Sequence, residues 1–189
     1  LWDRDSGQME LVSLPAPGGN GTGGNFGPSI SDDGRRVAFS ASASLDPLDT
    51  NGAVDGYVRD RWLGTTTVAT IGHGNNRMTV GASYPVISAD GRWIVFTTTS
   101  PDVVPGGPSG VAHVYVRHLS TGEIALASTN RNGVWANSSS IYPVIGGNAS
   151  IVGFACDATN LIPDAGPQTS LSTMYLAQPA VDSIHADGF

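Results

Sequence analysis

Lysine is absent from this chain, and all nine of its basic residues are arginines. They are scattered, with no grouping beyond short pairs such as Arg35-Arg36, and 16 acidic residues bring the formal net charge to -7. A nucleic-acid or anionic-membrane partner calls for a basic footprint, and none is present. Cysteine is nearly absent too. The single Cys156, in the apolar run "IVGFAC", excludes an intrachain disulfide framework and reads as a buried thiol, with another chain as its sole disulfide option. No stretch approaches the ~20 apolar residues of a membrane-spanning helix. Glycine or proline interrupts nearly every window in which helical periodicity could develop. The chain opens "LWDRDSG" without an initiator methionine, so it reads as a processed protein or as a piece of a longer one.

What the chain does have is turns: 25 glycines and 12 prolines among 189 residues, a length that suits one ordinary domain. It also repeats itself. "PSISDDGRRVAF", "PVISADGRWIVF" and "PVIGGNASIVGF" align so that Pro28, Ile30 and Phe39 fall on Pro85, Ile87 and Phe96 and then on Pro143, Ile145 and Phe154. The step is about 57 residues, the range of one supersecondary unit. Downstream, Tyr57, Val58, Arg59 and Gly64 superpose on Tyr115, Val116, Arg117 and Gly122. Each unit reads as four short strands, with an Asp-Gly hairpin turn between the first two, where glycine supplies positive φ. The second strands ("RRVAF", "RWIVF", "SIVGF") become apolar on both sides, as in a strand buried on both faces. In the third unit Asn148-Ala149 replaces Asp-Gly, which predicts a turn that is looser or of another type, since alanine tolerates positive φ poorly. Residues 1–25 read as half a blade, 26–81 and 82–139 as whole blades, 140–178 as a partial blade, and 179–189 as a tail or closing strand. The expectation is an all-β protein, a β-propeller of four-stranded antiparallel blades. About three and a half repeats are visible, which allows a closed four-bladed ring or part of a larger propeller.

The pattern "P-x-I-S-x-D-G-R-x-V-A-F-x-S", followed by "DTNGAVDGYVRDR" and "GTTT", resembles the WD-like propeller repeats of the TolB type found in bacterial secreted and envelope proteins. The resemblance runs from Leu1 to about Gln178. It implies the fold and an extracellular or periplasmic setting. It does not select a function, because such propellers serve as partner-binding platforms and as accessory domains of peptidases and other hydrolases.

Candidate chemistry is sparse. In "LDPLDTNGAVD" the oxygen-bearing Asp49, Asn51 and Asp55 surround a glycine turn, the donor type and spacing a calcium ion uses. Their alternative role is to cap turns by accepting backbone N–H bonds. The histidines His73, His113, His118 and His185 lack metal-ligand spacing; His113 and His118 are an odd separation apart on one strand and so face opposite ways. "GGPSG" around Ser109 has the wrong spacing for a serine-hydrolase elbow. Glu10 and Glu123, the two glutamates, sit at equivalent fourth-strand positions, poor for a paired-carboxylate site. Trp2, Trp62 and Trp93 read as packing or anchoring residues, whereas Trp135 in the polar loop "NGVWANSSS" reads as an exposed contact. No residue is assigned to catalysis. The expected role is a non-catalytic module presenting a loop rim to a protein, peptide or glycan, with calcium as the one cofactor candidate. Self-association or a larger parent chain would cover open blade faces. The competing reading is a propeller enzyme, or an accessory domain of a hydrolase acting on glycans or peptides.

Overall fold

The computed structural model describes residues 1–21, 23–162 and 173–178. The expected closing strand at 179–189, His185 and the third-unit loop at 164–172 lie outside the described residues. Among the described residues eleven strands form three antiparallel sheets. The first holds β1 (Asn25–Ile30), β2 (Arg36–Ala41), β3 (Asp55–Asp60) and β4 (Thr65–Val68) in that order. The second repeats it with β5 (Ala82–Ile87), β6 (Trp93–Thr98), β7 (His113–His118) and β8 (Ile124–Leu126). The third has β9 (Ser140–Ile145), β10 (Val152–Cys156) and β11 (Thr173–Ala177). These are the propeller blades the repeat predicts. Among the described residues no fourth sheet joins the third back to the first. Among the described residues ahead of β1 the one β-bridge is Trp2–Met9, and the segment is tied to the β2–β3 connection of the first sheet through Ala16 N–H on Leu45 O and Asn20 N–H on Ser44 O, both at 2.7 Å. No helix among the described residues is long and apolar enough to cross a membrane.

The blades pack by one rule. Each sheet stacks a second-strand phenylalanine on a third-strand tyrosine: Phe39 on Tyr57, Phe96 on Tyr115, Phe154 on Tyr175, with centroids 6.1, 5.9 and 5.9 Å apart. The Phe96–Tyr115 pair is buried with Ala38 and Val58 of the sheet before it. Phe154 and Tyr175 are buried with Val95, Val114 and Val116 in the same way. Large aromatics of one blade thus fill the space left by small residues of the preceding one, the interdigitation a dense core requires. Phe39 and Tyr57 instead meet Ala43, Leu45, Leu1 and Val12. Cys156 is free and buried, and Trp93 is buried between the second and third sheets.

The hairpins between first and second strands differ from the tight two-residue form. Ser31 N–H donates to Arg36 O at 3.0 Å and Gly34 N–H to Ser31 O at 2.8 Å, so four residues form the loop and only Gly34 is left-handed (φ 67°). Asp33 Oδ1 accepts from Arg35 N–H, and Asp90 Oδ1 from Arg92 N–H. The third copy keeps this geometry. Ala149 adopts φ 63° with its N–H on Gly146 O at 3.1 Å, and Asn148 Oδ1 accepts from Ser150 N–H. The expectation of a different turn there is corrected. Neighbouring hairpins are tied in sequence, Asp32 N–H to Ala89 O and Asp90 N–H to Gly147 O, so Ala149 is held in a conformation its Cβ disfavours.

Candidate binding surfaces

The first strands β1, β5 and β9 stand side by side, and each is broken by a bulge just before the shared proline. The residue ahead of that proline is left-handed in all three: Gly27 (φ 63°), Tyr84 (φ 56°) and Tyr142 (φ 52°). Glycine accepts this at no steric cost, whereas a tyrosine there is strained, and local strain of this kind gathers at binding and switch sites. The bulge turns the two rings outward. Tyr84 and Tyr142 meet edge to face with centroids 5.5 Å apart, yet remain 42% and 58% exposed. Phe26, Ile30 and Val144 on the same three strands are exposed as well. The result is an exposed aromatic pair that bridges the first strands of the second and third blades.

The acidic loop is a buried network. Asp46 Oδ1 accepts from Leu48 N–H and Oδ2 from Val68 N–H, both at 2.9 Å. Tyr57 O–H donates to Asp49 Oδ2. Asn51 Nδ2 donates to Asp55 Oδ2 at 2.7 Å, and Thr70 O–H to Asp55 Oδ1 at 2.9 Å. Asp49, Asn51 and Asp55 therefore spend most of their polar atoms on protein partners, Asn51 presenting nitrogen to Asp55; Asp49 Oδ1 alone lacks one. Among the described residues no three His, Cys, Asp or Glu side chains are placed to hold a metal ion. Burial, reinforced by the Asp49 charge, pushes the Asp55 carboxyl up to about 6, and burial with the Asp49 hydrogen bond raises the Tyr57 phenol.

Asp55 has a counterpart. Thr70 Oγ1 accepts Gly56 N–H while it donates to Asp55; in the second blade Ser128 Oγ accepts Val114 N–H and shares a 3.0 Å hydrogen bond with His113 Nδ1. His113 and Ser128 are both buried, so this Ser–His contact fixes the start of a third strand and offers no accessible nucleophile. Burial pushes the His113 imidazole down. His118, at the other end of β7, packs edge-on against Trp93 at 4.5 Å. Glu10 pairs with Arg61 at 2.6 Å and Glu123 accepts from Thr121 O–H at 3.0 Å.

Trp135 is 43% exposed beside a shallow groove with Pro108, Ser109 and Val111. Its carbonyl accepts from Asn160 Nδ2 at 2.7 Å, which fixes the loop from below. Trp2 and Trp62 are also exposed, contrary to a packing role; Arg35 lies 4.9 Å over the Trp62 ring. The sequence reading missed the tyrosine pair. The signal was the aligned Gly27, Tyr84 and Tyr142 before a common proline, since glycine at one copy betrays the backbone of all three. A second missed feature is a cavity of about 410 Å³ between the first two sheets, lined in part by Arg117.

No protein-family model matches the chain, and no curated protein does. Solved structures do. TolB of Agrobacterium tumefaciens is 18% identical over 81% of this chain and 45% of its own, with a TM-score of 0.49. TolB of Acinetobacter baumannii is 16% identical over 83% of this chain and 32% of its own, with a TM-score of 0.44. The tricorn protease is 15% identical over 92% of this chain and 14% of its own, with a TM-score of 0.50. These are β-propeller proteins, and the likeness is one of fold. The chain spans less than half the length of each.

Proposed function

We propose that the chain is a non-catalytic β-propeller module that binds a protein or peptide on the aromatic surface of its first strands. The observation that carries this reading is the left-handed Tyr84 and Tyr142, strained positions whose rings stay exposed. Exposed tyrosines are effective contact residues because they bring large rigid area at small entropic cost. No further strand among the described residues pairs with the outer edges of β1, β5 and β9; Ala82, Ile87 and Ser140 N–H are already bonded there, and an extended segment would pair with the edge groups between them. Trp135 serves as a second, rim-level contact. An extracellular or periplasmic setting follows from the repeat resemblance alone.

The test is a displayed peptide library selected against the whole chain, followed by affinity measurement on the wild type and three variants. Tyr84→Ala and Tyr142→Ala are expected to weaken a selected peptide by about tenfold or more each, and Trp135→Ala by less. Unchanged affinity in both tyrosine variants would overturn the assignment of the surface. Selection of no peptide, with saturable binding of a glycan in its place, would overturn the partner class.

A further inference from the structure

The repeated "YVR" triplet places an arginine at the same point of two blades, and the two arginines differ in how they are satisfied. Arg59 Nη1 donates to Gly64 O at 2.9 Å and to Thr66 Oγ1 at 3.2 Å. Arg117 faces Ile124 where Arg59 faces Thr66, so that hydroxyl partner is gone. Its one hydrogen bond runs from Nη2 to Asn75 Oδ1 at 2.7 Å; the buried Nε lacks a partner in both arginines, so the difference lies in the Nη groups. Arg117 is only 4% exposed. None of the ion pairs among the described residues involves it. A guanidinium stays charged when buried, and a buried charge without a counter-ion is costly.

This cation lines the cavity between the first and second sheets. The β4 residues Thr65 and Thr67 line it too, with Leu63, Ile71 and Arg77. The two carboxylates on the wall are already engaged, Asp46 by two backbone N–H groups and Asp60 by Arg35 and Arg36. The volume of about 410 Å³ falls within the range of small-ligand sites, which are mostly apolar with a few placed polar groups.

We propose that this cavity binds a carboxylate carried on an apolar body, the carboxylate meeting Arg117 and the body resting against Leu63, Ile71 and the threonine methyls. Guanidinium is the side chain best shaped for a carboxylate. The ligand is either a free small acid or an acidic side chain of a peptide, and the site is separate from the first-strand surface.

The experiment follows the Arg117 Nε–Hε resonance by two-dimensional NMR on the whole chain. Phenylacetate is the small-acid probe and phenylacetamide its neutral match; acetyl-Leu-Glu-Leu-amide and its Gln analogue form the peptide pair. One of the acids is expected to shift the resonance saturably, at least about tenfold more tightly than its amide. Thr67→Phe, a change at an exposed edge-strand position that fills part of the cavity, is expected to weaken binding by a similar factor, so the result does not depend on whether Arg117→Gln folds. Saturation by phenylacetate supports a free acid as ligand, and saturation by the Glu peptide alone supports a peptide source. Equal response to acids and amides, or no saturable shift up to about 10 mM of either acid, would overturn the proposal.

Discussion

Ala149 shows how a single residue can be held against its preference. A non-glycine residue in the left-handed region costs ~1–2 kcal/mol, but its methyl is fully buried in the core between the second and third sheets. Ala149→Gly relieves the strain, removes a buried methyl worth about 0.8 kcal/mol, and loosens the unfolded chain by a further ~0.4–1 kcal/mol. The terms nearly cancel, so the expected change in urea denaturation is within about 1 kcal/mol of zero. The reverse change at the equivalent turn does not cancel. In Gly91→Ala the new Cβ would adopt φ 70° and lie 3.3 Å from Ser31 Cβ, so a loss of about 1–2 kcal/mol is expected. The acidic loop belongs to this scale too. Because the oxygens of Asp46 and Asp55 already accept from protein donors, calcium is expected to leave the unfolding temperature unchanged. A rise of several degrees in a calcium titration would show instead that Asp49, Asn51 and Asp55 rearrange around the ion.

At the scale of elements, β3 and β7 begin with equivalent latches built from groups of opposite titration. Asp55 has its folded pKa raised from 3.8 to about 6, so the unfolded chain ionises first as pH rises. Its contribution to stability is therefore full below about pH 4 and is lost as pH climbs to about 6. His113 is lowered from 6.5 by burial, so the unfolded chain takes up its proton first as pH falls, and stability is lost below the ordinary histidine range. Asp55→Asn should flatten the loss between about pH 4 and 6, and His113→Gln should flatten the loss below 6.5. Chemical denaturation across pH, with both variants, checks each slope separately. The bulges of the first strands make a second prediction. Since Gly27 occupies the same backbone position as Tyr142, Tyr142→Gly should leave stability within about 1 kcal/mol of wild type while weakening the selected peptide about tenfold.

These elements were unequally legible. Strands were readable because Tyr57, Tyr115, Phe39 and Phe96 recur at a fixed step and only a repeated sheet explains that recurrence. The four-residue hairpin was not, since an Asp-Gly pair is compatible with two turn types; the Ser31 and Ser88 hydroxyls bond Asp33 and Asp90, yet the third copy makes the same turn with Gly146 in their place. Nor was the environment of Arg117, which depends on Asn75 reaching in from 42 residues away. The role of Asp55 was hidden for the same reason: its hydroxyl partner, Thr70, lies on the far side of the β3–β4 hairpin.

At the scale of the whole molecule, the packing rule carries a consequence for the third sheet. Val95, Val114 and Val116 of the second sheet are fully buried because Phe154 and Tyr175 cover them. By strand register, Gly153, Met174 and Leu176 occupy the corresponding places in the third sheet, and Met174 and Leu176 are among the most exposed apolar side chains of the chain. Val144 and Ile151 extend the same apolar surface. A contiguous face of this kind promotes association. The weight-average mass of the whole chain, followed by light scattering over a concentration series, is therefore expected to rise above that of one chain. The double variant Met174→Lys with Leu176→Lys should hold at the monomer mass with an unchanged unfolding temperature, because neither side chain contributes to a buried cluster. A wild-type chain that stays monomeric throughout the series would show that association does not follow from this face, and that the repeating Phe–Tyr rule ends at the third sheet without penalty.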